Sequence, residues 1–106
     1  MRGMALDFAL MDFSGNVHGN VPIGLVRHGE IFDRMASNYK LLEKMRDYYD
    51  DATYETTTEL EELKIELTFL AKSHSNNREH SELLKSMIKL VDEAISRHLK
   101  IEVVAD

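Results

Sequence analysis

Apolar residues return at every second position over Ala5–Met11, with Leu6, Phe8 and Leu10 on one face and Asp7 on the other. A period of two predicts a strand with one buried face. The run Asp12-Phe13-Ser14-Gly15-Asn16 then supplies turn chemistry, since glycine and asparagine tolerate positive φ. A second strand follows, ending with Val21, Ile23 and Leu25 on one face. Pro22 cannot donate to a ladder, which assigns that strand to a sheet edge. Two strands alone are marginal, so the expected hairpin needs a third strand or a helical cover.

From His28 to Tyr49 the period becomes helical: Ile31, Met35, Tyr39, Leu42, Met45 and Tyr49 keep one phase. Ser37-Asn38 is poor helix material, and whether 28–49 forms one helix or two the pattern leaves open. Thr58-Glu59-Leu60-Glu61 has the Thr-x-x-Glu form of a capping box, and Thr56-x-x-Glu59 offers a second register. The helix it opens carries Leu60, Leu63, Leu67 and Leu70 on one face, while Ile65 and Phe69 make a separate apolar strip. Ser73 to Asn77 are turn-forming. The last helix, about Glu79 to His98, is apolar over half its circumference, from Leu83 and Leu84 through Met87, Val91 and Ala94 to Leu99. That width predicts the central element of the core. Ile101–Val104 alternates and is β-branched, a short strand that can complete a sheet with the hairpin.

Length and charge narrow the picture. A chain of 106 residues is expected to form one domain, because halves would be too small to bury a core. The net charge of −6 repels phosphate backbones and lipid headgroups, so neither nucleic acid nor a membrane is the expected partner. The lysines are scattered among acids, which points the same way. No cysteine is present, so disulfides and thiolate metal sites are excluded, and a cytoplasmic setting is expected. Asp7 and Asp12 interrupt the first apolar run, which argues against a signal peptide, and Met4 is an alternative start.

Two groups of residues invite a chemical reading. Leu25-Val26-Arg27-His28-Gly29-Glu30 resembles the Arg-His-Gly signature of the histidine phosphatase and phosphoglycerate mutase superfamily. That resemblance would make His28 the phosphoryl acceptor and Arg27 its oxygen clamp. Such chemistry also needs a second histidine, a second arginine and an acid/base group on further parallel strands. The helical pattern after residue 29 provides no such sheet, so the segment reads as a helix start. Metal chemistry is expected even less. His74 and His80 stand six apart, the wrong spacing for one helix face, and His80 and His98 read as structural histidines toward the apolar side. Glu59, Glu62 and Glu66 read as a solvated face. No cofactor is expected.

The second group is Asp47, Tyr48, Tyr49, Asp50, Asp51, Tyr54 and Glu55, where phenol rings and carboxylates crowd a connection between apolar segments. Tyrosine offers contact area with a polar tip, and surrounding carboxylates steer a basic partner. In chemistry this resembles the partner-facing surface of colicin DNase immunity proteins, small acidic proteins that neutralise a basic nuclease. The layout of hairpin, helices and last strand is also similar to small immunity proteins of bacterial toxin systems. The resemblance implies a basic protein partner such as a toxin, gripped through Tyr48, Tyr49 and Tyr54.

The expectation is thus an α+β fold, a small antiparallel sheet covered by three or four helices. Its expected role is non-catalytic binding of a basic protein through the tyrosine-acid surface. The alternatives are phosphoryl transfer by His28 and a homo-oligomer docked through Ile65 and Phe69.

Overall fold

The computed structural model describes residues 5–48 and 50–105. Strands β1 (Ala5–Met11) and β2 (Val17–Gly24) form the hairpin. A short helix α1 (Leu25–His28) runs straight into one π-helical turn, Gly29–Asp33. An irregular segment carries a 3-10 turn, Leu42–Met45, before strand β3 (Ala52–Tyr54). Helices α2 (Thr57–Ser73) and α3 (Arg78–Arg97) and strand β4 (Lys100–Ala105) follow. The fold is α+β: one antiparallel four-stranded sheet in the order β2-β1-β4-β3, with the helices packed against it.

Alternation places the core. Leu6, Phe8 and Leu10 are fully buried beside Ile101 and Val103, which face them across the β1–β4 ladder. The hairpin turn is held by Asp12, whose carboxylate accepts the Ser14 and Asn16 backbone N–H groups at 2.9 Å and the His18 ring at 3.0 Å. These bonds, His18 first, hold its carboxyl well below the usual range. Gly15 takes a φ of 92°, which a side chain would oppose. Pro22 does sit on an outer strand. Leu25 does not continue the face of β2; it begins α1 and is exposed.

The α2–α3 hairpin covers the sheet by regular helical packing. Of the two candidate capping registers the earlier is used: Thr56 accepts the Glu59 N–H at 3.1 Å, and the Glu59 side chain accepts the Thr56 N–H at 3.2 Å. Leu60, Leu63, Leu67 and Leu70 turn inward against Leu84, Met87, Val91 and Ala94 of α3. Asn77 caps α3, and the helix ends at His98 in the left-handed region, φ 56°. His98 is therefore exposed at a C-cap, not turned toward the apolar side. No helix among the described residues is long and apolar enough to cross a membrane.

Two elements differ from the sequence pattern. The helical stripe of 28–49 is real, since Ile31, Met35, Leu42 and Met45 are all buried. Yet the backbone between Asp33 and Leu42 is turns and bends, so the segment is neither one helix nor two. The acidic connection, in turn, is partly a strand: Ala52–Tyr54 pairs with Ile101–Val103, making β4 a central strand and β3 the outer one.

Candidate functional site

β3 decides the fate of the aromatic-acidic stretch. Side chains alternate across a strand, so Ala52 and Tyr54 point into the core and Thr53 away from it. Tyr54 is 0 % exposed, and its phenol donates to the Leu41 carbonyl. Burial above all, then the Glu66 and Glu59 carboxylates, pushes that phenol far above its ordinary value, so it stays a neutral donor. Tyr48 is 6 % exposed and packs edge-on against the His28 ring, centroids 5.2 Å apart. The expectation of outward-facing rings at Tyr48 and Tyr54 is corrected: strand alternation and core packing take both inside. Tyr49 lies outside the described residues.

The carboxylates do face water. Asp47, Asp50, Asp51 and Glu55 are exposed, although the Asp51 carboxylate is engaged, accepting the Ala105 N–H at 2.8 Å. Asp47 and Tyr48 belong together at one place, the wall of a cleft of about 530 Å³ between α1 with its π-helical turn and the 3-10 segment. Leu25, His28 and Asp33 line the facing wall, and Glu43 and Arg46 stand on the Asp47 side. Tyr54, Asp50, Asp51 and Glu55 do not reach it.

The cleft walls are held by side chains bonding to backbone. His28, 2 % exposed, donates from Nε2 to the Met45 carbonyl; the carbonyl can only accept, which fixes the proton on Nε2. Arg46 donates from Nη1 to the Asp33 carbonyl at 2.9 Å and from Nη2 to the Met35 and Ala36 carbonyls, while Nε meets Glu43 at 2.9 Å. Behind this wall Glu66 of α2 accepts the Leu41 and Leu42 N–H groups at 3.0 and 2.9 Å. Glu66 is thus a structural acceptor and not part of a solvated face. Arg46 offsets Glu43 by that ion pair, so Asp33 and Asp47 leave the mouth of the cleft net acidic.

His28 is not presented as a phosphoryl acceptor. Its Nε2 is occupied, and Arg27 is turned to Glu30 and Glu79, at 3.3 and 3.1 Å, instead of toward the histidine ring. A second histidine group lies apart from the cleft. The Nδ1 atoms of His74 and His80 meet at 3.0 Å, and His80 Nε2 donates to Glu30 at 3.0 Å. That bond, first among several influences, holds the Glu30 carboxyl below its usual range, while burial and then the His80 charge lower His74. Among the described residues no group of three or more His, Asp or Glu side chains is arranged to hold a metal ion.

Comparison with protein-family models, with curated proteins and with solved structures gives no match.

Asp33 and Glu43, which the sequence pattern did not single out, become candidates only when two distant segments meet. Helix-poor residues at Gly29, Ser37 and Asn38 were the available signal. Of these, Ser37 and Asn38 fall where the chain bends, between residues 34 and 41, and so brings its flanks face to face.

Proposed function

We propose that the protein is a non-catalytic binding protein of the inhibitor or immunity type, taking a cationic side chain of a basic protein partner into the cleft between α1 and the 3-10 segment. The observation that carries the reading is the wall of that cleft: Asp33 and Asp47 at its mouth, with the one lining arginine ion-paired to Glu43 and bonded to backbone carbonyls. Leu25 and the His28 ring would lie along the aliphatic stem of a lysine or arginine, leaving its head with the carboxylates. Asp50 and Glu55 add acidic field around it and would raise the association rate more than the affinity. Tyr48 and Tyr54 serve this reading as struts behind the wall, not as anchors.

The test uses isotope-labelled protein titrated with an arginine-rich peptide, read by amide chemical shifts. Expected are shifts at Leu25, Gly29, Asp33 and Asp47 that fade with added salt and with the double variant Asp33→Asn/Asp47→Asn, whose thermal unfolding stays close to that of the parent. Shifts spread evenly over every acidic helix face, or unaltered in the double variant, would dismiss the cleft.

A further inference from the structure

Ile65 and Phe69 stand 56 % exposed each on the outer side of α2, away from the cleft. They form a ridge between two grooves. One, of about 650 Å³, runs along α3 and reaches Ile95; the other, of about 610 Å³, runs along Asn38 and Tyr39. An apolar ridge beside a groove of its own length can fit a groove and ridge of the same kind.

The charges say which way round. Glu61 and Lys72 line the α3-side groove at its opposite ends. They are eleven residues apart, three helical turns, so they point within about 20° of each other. Most neighbouring charges on α2 are satisfied inside the molecule: Lys64 by Asp92 at 2.7 Å, Glu59 by Lys44 at 3.6 Å, Glu66 by two backbone N–H groups. Glu61 has no ion-pair partner among the described residues, and Lys72 rests 5.5 Å over the Phe69 ring without a carboxylate. An acid at one end of a ridge and a cation at the other, both on one flank, is the pattern that a two-fold axis would complete if it crossed outside the Ile65–Phe69 ridge at the level of residue 67. Under that axis Glu61 of one copy lies level with Lys72 of the other, twice over, and Ile65 lies beside Phe69. A parallel pairing would instead set Glu61 against Glu61.

We propose that this face is an antiparallel α2-to-α2 interface between two copies of the chain, closed by the Glu61–Lys72 pairs. The experiment is sedimentation equilibrium of the full chain from micromolar to millimolar concentration, at low and high salt. The parent is expected to dimerise, and Phe69→Asp to remain a monomer. Exposed ion pairs are individually weak, but one substitution here replaces two attractions by two repulsions. Lys72→Glu and Glu61→Lys should therefore each weaken the dimer by about tenfold at low salt. Mixing these two variants, or combining both changes in one chain, should restore association, because opposite charges again meet at both ends. A parent that is monomeric throughout the series overturns the proposal. So does a dimer that Phe69→Asp leaves intact, or one in which the mixed charge variants show no recovery.

Discussion

Residues 29–48 and the α2–α3 hairpin both bury an apolar stripe against the same sheet, and they are held in different ways. In the hairpin the backbone satisfies itself: each turn of helix bonds to the next, and side chains are left to pack Leu63, Leu67, Leu84 and Val91. In 29–48 regular bonding stops after the π-helical turn, and borrowed groups finish it. Glu66 takes the Leu41 and Leu42 N–H groups, Tyr54 supplies a donor to the Leu41 carbonyl, His28 one to Met45, and Arg46 satisfies three carbonyls. The cleft is built from the second kind of structure. Its shape therefore depends on residues from α1, β3 and α2 that are remote in sequence, while the hairpin's shape depends mainly on itself.

The difference can be broken at three places. Leu67→Ala, in the hairpin, should cost about 2–5 kcal/mol and act globally, lowering the denaturant midpoint for every probe at once. If unfolding instead became biphasic, the hairpin would not be the common core supposed here. Glu66→Ala leaves two partly buried N–H groups without an acceptor and should cost about 1–3 kcal/mol. Its signature is local: hydrogen exchange should accelerate at 41–48 and much less in α3. Tyr54→Phe, acting on the same residue Leu41, should cost about 1 kcal/mol. Combined with Glu66→Ala it should add less than its own share, because the segment is already loose. Strict additivity in that double variant would mean that the two side chains do not serve one segment.

The smallest effect expected is a pH dependence confined to the α2–α3 turn. His74 has a lowered value in the folded chain, so the unfolded chain binds its proton first as pH falls below about 6.5. The group's contribution is then present above that pH and lost below it. The contact between the two Nδ1 atoms agrees in sign, since it holds a single proton and a second converts it to a repulsion. Thermal midpoints should fall modestly from pH 7.5 to pH 5.5, and less steeply in His74→Gln. Glu30, lowered by its bond from His80, pulls the same way at still lower pH. A steeper fall in His74→Gln than in the parent would assign the effect elsewhere.

How much of this was legible in the chain varies from region to region. The run Leu6, Phe8, Leu10 predicted a strand at Ala5–Met11, and its pairing with β4 agrees with the alternation of Ile101 and Val103. The wide apolar face from Leu83 to Leu99 predicted a central helix, and α3 lies between the sheet and α2. The stripe from Ile31 to Met45 was equally visible, yet a stripe reports which side chains are buried, not how the backbone between them is bonded. Helical spacing at Met35, Tyr39 and Leu42 is compatible with turns wherever other side chains can satisfy the carbonyls. The site was legible only in part. Asp47 and Tyr48 stand in the aromatic-acidic stretch, but Asp33 and Glu43 join the candidate cleft through a bend that periodicity does not encode.

By itself the sequence determined the elements whose pattern repeats: the hairpin, the two long helices, the last strand and the acidic balance of the surface. Each of these is set by local spacing, and local spacing is written in neighbouring residues. Only the tertiary structure decided that Ala52–Tyr54 is a strand, since two residues of β-propensity, Thr53 and Tyr54, are too short a signal until β4 offers an open edge. That single pairing turned Tyr54 inward, and with it Leu41 and the wall of the cleft. Hydrogen bonds between residues distant in sequence have no period to read, so no pattern along the chain could have announced them.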